Sequence, residues 1–135
     1  MKMVVWLIGG LLTLALAVFV AQSVASETGE VVVLHTLDAS GADKTTRIWI
    51  VDHADLQWLR AGSSQSAWYR RLIAQPHVRL ERAGKSAEYL ATPSPETRQT
   101  INGQMRAKYG WRDIFISWMV GGRDSAVPII LQPSS

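Results

Sequence analysis

Lys44-Thr45-Thr46-Arg47-Ile48-Trp49-Ile50-Val51 is the stretch on which the fold turns. Successive side chains of a strand point to opposite faces. Read that way, Thr46, Ile48 and Ile50 share one face, while Thr45, Arg47, Trp49 and Val51 share the other. Ahead of it, Ser40-Gly41 within residues 38–43 supplies the turn chemistry that separates it from Val31-Val32-Val33-Leu34, a β-branched run with the character of a buried strand. Behind it, the polar group Asp52-His53-Ala54-Asp55 reads as a turn leading to a short third strand at Trp58-Leu59-Arg60.

Working outward, Ser63 to Ser66 offer N-cap residues for a helix bearing Trp68, Leu72 and Ile73, which Pro76 limits. Val78 and Leu80 alternate with His77, Arg79 and Glu81. After the Ala83-Gly84 turn, Ala87, Tyr89 and Ala91 alternate on a return strand, so the two form a hairpin. Ser94-Pro95-Glu96 starts a helix with a capping serine, a proline at the first helical position and an acid. Ile101, Met105 and Tyr109 mark its buried face, and Gly110 ends it. Residues 111–120 are amphiphilic and fit no single template. Gly121-Gly122 then turns the chain into a final strand over residues 127–131. Six strands in hairpins, interrupted by two or three helices, predict an α+β barrel and not a doubly wound parallel sheet.

The first residues belong to something else. Lys2 is the one charge ahead of an unbroken apolar run over residues 4–20, which includes Leu7, Ile8, Leu11, Leu12, Leu14, Leu16 and Phe19. At about 1.5 Å per residue such a helix nearly spans a hydrocarbon core. The small residues Ser23-Val24-Ala25-Ser26 satisfy the rule for signal-peptide cleavage. Residues 1–26 are therefore a cleaved signal peptide or a single transmembrane anchor, and residues 27–135 form one domain. Both readings keep Lys2 on the cytoplasmic side and turn the domain outward, either membrane-anchored or secreted into a periplasm-like space. Without paired arginines, export would be of an unfolded chain.

Composition narrows the chemistry. Of 135 residues none is cysteine, which removes disulfides, thiolate catalysis and cysteine-ligated metal together. The net charge of +3 is too mild to imply nucleic acid, even though Arg70, Arg71, Arg79, Arg82 and Lys85 lie close in sequence. There is no P-loop, dinucleotide fingerprint, nucleophile elbow or paired-histidine zinc motif. His35, His53 and His77 are far apart in sequence and do not suggest a metal site. Six tryptophans suit either a core or a pocket for a flat ligand. Two basic elements stand out. Lys44-Thr45-Thr46-Arg47 alternates hydroxyls and cations that could hold a phosphate. Ser63 to Ser66 would lie at a helix N-terminus, where free amides attract anions, and Arg70 and Arg71 follow on that helix. Each also reads as an ordinary strand or helix with solvated cations.

Together the segments Lys44-Thr45-Thr46-Arg47-Ile48-Trp49, Ala67-Trp68-Tyr69-Arg70-Arg71-Leu72 and Gln75-Pro76-His77-Val78-Arg79-Leu80 resemble the deazaflavin-dependent nitroreductase family over residues 31–131. Gln75 stands where that family commonly has asparagine, and Arg47 where it commonly has proline. The resemblance implies a six-stranded antiparallel split β-barrel with flanking helices, here preceded by the N-terminal hydrophobic helix, and a homodimer in many members. It implies a flavin (FMN) or deazaflavin cofactor, with Lys44, Thr45 and Thr46 by its phosphate and Ser64, Ser66 and Trp68 closing over it. Arg70 and Arg71 join that set from their charge alone. The implied activity is an exported or membrane-anchored oxidoreductase acting on a quinone- or nitro-type acceptor, in which the cofactor carries the hydride chemistry. The alternative is a non-enzymatic binding module of the same fold for heme, quinone or another flat ligand.

Overall fold

A computed structural model of the chain describes residues 1–27 and 29–134. The N-terminal helix α1 spans Lys2–Glu27, and the strands are β1 (Val31–Leu37), β2 (Asp43–His53), β3 (Leu56–Ala61), β4 (His77–Arg82), β5 (Lys85–Pro93) and β6 (Val127–Pro133). Helix α2 (Ala67–Ala74) lies between β3 and β4. A single 3₁₀ turn (Pro95–Thr97), α3 (Arg98–Tyr109) and α4 (Trp111–Met119) lie between β5 and β6. The strands close into a barrel in the order β1-β2-β3-β6-β5-β4, with every neighbouring pair antiparallel. Architecture and class are those expected from the sequence.

Both surfaces of part of the barrel wall are buried. Inside, Val32 and Leu34 of β1, Ile50 of β2, Leu59 of β3, Leu80 of β4 and Ile129 of β6 belong to one apolar cluster. Outside, Val51 and Trp58 pack under Ile101, Met105 and Tyr109, the face of α3 picked out by its four-residue spacing. Helix α2 runs across one end of the barrel, from the exit of β3 to the entry of β4. Its Leu72 is fully buried among the interior residues, with Trp68 and Tyr69 packed half-buried beside it.

The boundaries differ from the sequence reading at several points. Strand β2 continues through Asp52 and His53, because the β2–β3 turn is only Ala54-Asp55, both at positive φ (54° and 60°). Ala83-Gly84, at 51° and 76°, is built the same way. Both are two-residue hairpin turns whose backbone twist matches the strands they join. Ser94 does not cap a helix with its side chain. Its hydroxyl donates to the Glu96 carboxylate at 2.8 Å, and the α-helix begins only at Arg98, after the 3₁₀ turn. Ser66 occupies the N-cap of α2 without a side-chain bond, while the Ser63 hydroxyl accepts the Gln65 N–H at 3.1 Å. The ambiguous residues 111–120 are helical through Met119.

Helix α1 contains 19 residues, Lys2–Val20, long and apolar enough to cross a membrane, and none of them is buried. The side chains of residues 21–28, which include the small residues of the cleavage motif, and Ser135 lie outside the description. Past α1 the tether is fixed. Gly29 adopts φ +84°, and a Cβ placed there would meet the Tyr109 ring at 3.0 Å. Glu30 accepts two bonds from Arg82 and one from Lys108, and its carbonyl accepts the Tyr109 hydroxyl at 2.6 Å. The Arg82 guanidinium holds the Glu30 carboxyl below its ordinary value, and does the same to Asp52.

Candidate functional site

The wall is incomplete between β2 and β3. Their ladder covers only Ile50–His53 against Leu56–Leu59, so the first half of β2 parts from the end of β3 and leaves a seam. A cavity of about 180 Å³ opens there, lined by Arg47, Ile48 and Trp49 of β2, Arg60 of β3, Met105 of α3, Ile116 of α4 and Arg123. Trp49 is held flat by the Tyr109 ring, with centroids 4.2 Å apart and planes 8° from parallel.

Its floor is a charged cluster taken out of water. The side chains of Arg60 and Asp113 are 4% and 2% exposed and form an ion pair, and Arg60 also donates to the Asn102 side chain at 3.2 Å. Arg123 reaches the same Asp113 oxygen at 3.5 Å and donates to the Ser117 hydroxyl at 3.0 Å. Burial pushes the Arg123 guanidinium down to about 10, which still leaves it charged at neutral pH. Two guanidiniums share the one Asp113 carboxylate, and the exposed Arg47 lines the rim. Guanidiniums with donors aimed into a partly dry cleft can accept an anion as a further partner. On the other side of the cluster a second cavity, of about 360 Å³, is also lined by Asn102, Asp113, Ser117 and Arg123.

None of the site residues singled out in the sequence lines the cavity. Lys44 and Thr46 lie on the interior-facing parity of β2, opposite Thr36 and Leu34, whereas Thr45 points outward opposite His35. Extending the β2–β3 register past Ile50 would put Thr46 against Ser63 and Thr45 against Ser64. The ladder does not extend that far, and Ser63 and Ser64 lie past the end of β3. Arg71 reaches back to β1 and donates to the Thr36 hydroxyl at 2.8 Å. That hydroxyl leans on the Lys44 carbonyl, so Lys44 and Arg71 share the barrel end. Arg70 is exposed, Ser66 begins α2, and Trp68 packs against the interior cluster. Arg60, Asp113 and Arg123 were missed. The available signal was Asp113 and Ser117 at four-residue spacing, the polar face of a helix whose other face is apolar.

His35 is committed elsewhere. Its Nδ1 meets Asp43 at 2.7 Å and its Nε2 meets Glu81 at 2.7 Å, and His35 and Asp43 line a cavity of about 330 Å³. The bond to Glu81, then that to Asp43, raises its pKa above 6.5. A raised folded-state value stabilises the fold fully below the unfolded value, and that contribution is lost as pH rises through the folded one. Urea unfolding midpoints are therefore expected to fall as pH climbs from below 6.5 to well above it. The part of the slope due to His35 should vanish in His35→Gln.

No protein-family model matches the chain, and no curated protein is significantly similar to it. Solved structures are similar in fold. A conserved hypothetical protein from Mycobacterium tuberculosis is 16% identical, with a TM-score of 0.63 over 80% of this chain and 75% of its own. HutZ, the heme storage protein from Vibrio cholerae, is 17% identical, with a TM-score of 0.61 over 81% and 84%. An F420-H2 dependent reductase is 17% identical, with a TM-score of 0.61 over 76% and 94%. The chain has the split β-barrel fold that these proteins share.

Proposed function

We propose that this chain is a membrane-tethered split-barrel oxidoreductase that holds a flavin or deazaflavin cofactor by its anionic tail and serves a quinone- or nitro-type acceptor. The observation that carries this reading is the seam cleft, which three guanidiniums line beside a stacked tryptophan, two of them sharing one buried carboxylate. A volume of about 180 Å³ suits a phosphate or carboxylate group and is too small for a tricyclic ring. Arg47, Arg60 and Arg123 would hold that group, with Thr45, Thr46, Ser64 and Ser66 bordering the gap beside it. Lys44, Arg70 and Arg71 would extend the positive field toward the barrel end, and Trp68 would keep α2 seated there. When bound, the cofactor supplies the hydride, and the protein's part is to bind, orient and tune. Likeness of fold to an F420-H2 dependent reductase supports the class of cofactor. Residues 1–26 would be the leader and residues 27–135 the working domain, with α1 as an anchor facing the domain outward.

Heme, the ligand class of the alternative binding module, fits the cleft less well. Both ring nitrogens of His35 are occupied by carboxylates, and neither His53 nor His77 lines the seam.

The test is equilibrium titration of the full chain in detergent with FMN and with F420, followed by tryptophan fluorescence and visible absorbance. A hydrogen bond to a charged group contributes about 1.5–3 kcal/mol, so Arg47→Gln should weaken binding about tenfold or more. Arg47 is exposed, and urea unfolding of Arg47→Gln checks that the fold is kept. Affinity should also fall with added salt. If Lys44→Gln and Arg71→Gln weaken binding and Arg47→Gln does not, the anion sits at the barrel end instead. No binding of either cofactor by folded protein would overturn the proposal.

A further inference from the structure

Helix α4 is built inside out. Its polar residues Asp113 and Ser117 are buried against the barrel, where they hold Arg60 and Arg123. Several of its apolar residues face away. Trp111 is 55% exposed and Trp118 76%, and Ile114 between them and Val120 beyond are exposed as well. Trp111, Ile114 and Trp118 follow one another at three- and four-residue spacing, so they form one stripe. Two tryptophans and two aliphatic side chains present on the order of several hundred Å² of apolar surface, the size at which a patch marks an interaction site.

What lies against that stripe is indicated by the tether. Helix α1 and α4 are neighbours in space, and the apolar part of α1 is exposed along its whole length. Only residues 28–30 separate α1 from β1, a reach of roughly 10–14 Å even fully extended. Gly29 packs on the Tyr109 ring and Glu30 is bonded to that residue's hydroxyl, while α4 begins two residues later at Trp111. The first turn of α4 is thus held at the root of α1. A helix crossing a bilayer places its root at the headgroup–acyl boundary, where tryptophan partitions preferentially. Arg112, stacked 5.1 Å over the Trp111 ring, brings a cation to the level of the lipid phosphates.

We propose that the Trp111–Ile114–Trp118 face of α4 beds into the membrane surface beside α1, so that the seam cleft, whose wall α4 also forms through Ile116, opens close to the bilayer. This rests on α1 entering the membrane, as proposed above. Docking of this kind is interfacial and adds to the span without replacing it.

The test uses the full chain in lipid nanodiscs of phosphatidylcholine and phosphatidylglycerol, with brominated or unbrominated acyl chains. Tryptophan emission is compared between the unaltered chain, Trp6→Phe, and Trp6→Phe combined with Trp111→Phe and Trp118→Phe. Trp6 reports on α1 alone, and phenylalanine preserves the apolar face. Bromine-dependent loss of emission that survives in Trp6→Phe and disappears in the triple variant is the result expected. Quenching confined to Trp6 would leave the anchor standing and overturn the docking. Quenching at Trp111 and Trp118 with none at Trp6 would support docking and overturn the anchor. If both helix tryptophans are shielded from bromine and from acrylamide in discs holding two chains, the face is a dimer interface and the proposal falls.

Discussion

Asp113→Ala is expected to cost about 3–5 kcal/mol of folding stability. Asp113 is the one carboxylate that the buried Arg60 and the partly buried Arg123 share, and its own side chain is 2% exposed. Removing it leaves two largely buried cations with Asn102 and Ser117 as their remaining side-chain partners among the described residues. The loss is therefore dominated by uncompensated charge and not by the missing packing of a small side chain. Asp113→Asn keeps the shape and an acceptor oxygen but removes the charge, so it should fall between the wild-type chain and Asp113→Ala. Urea unfolding followed by tryptophan emission measures both. A negligible loss in Asp113→Asn beside a full loss in Asp113→Ala would mean that packing, and not charge, explains the cluster. The same substitution should loosen the floor of the cleft, since Arg60 and Arg123 take their positions from Asp113.

Leu72→Ala is expected to cost about 2–5 kcal/mol. Leu72 is the fully buried residue by which α2 closes the barrel end, set among Leu34, Leu80 and Ile129 of the interior. A cavity there has little means of collapsing, because α2 is tied down on both sides of Leu72. Arg71 donates to Thr36, and the Gln75 side-chain amide donates to the Asp38 carbonyl at 3.4 Å. The adjacent Ile73→Ala should change stability by no more than about 0.5 kcal/mol, since Ile73 is exposed. A pair of urea titrations compares the neighbours directly. A large loss for Ile73→Ala would show that α2 packs on a face other than the one described.

Strand identity was legible because alternation is a local property. Residues 44–51 sort onto two faces by counting alone, and the structure sets Ile50 inside and Val51 outside the wall. Closure of the barrel was less so, since it needs β1 to meet β4 and β3 to meet β6. The latter pairing joins residues about seventy positions apart, such as Trp58 and Ile130. Helix α4 resisted reading for a physical reason. The usual rule puts apolar residues inward, and here Asp113 and Ser117 go inward while Trp111 and Trp118 go out. The charged cluster escaped notice on the same ground, because arginine is taken as a surface residue unless its partner is known, and Asp113 is supplied by a helix fifty residues away. Thr45 and Thr46 show the converse. Adjacent in sequence, they sit on opposite sides of the wall, so they approach a ligand from different directions or not together.

The most direct test of the central claim is a single-turnover experiment with the full chain in lipid discs. The protein is loaded with reduced F420 or reduced FMN and mixed with a quinone or a nitroaromatic acceptor, and reoxidation is followed by absorbance. The account predicts that reoxidation is faster than that of the free cofactor and that Arg47→Gln removes the gain at subsaturating cofactor. A folded chain that binds the cofactor and leaves its reoxidation rate unchanged would contradict the oxidoreductase reading and make the protein a carrier.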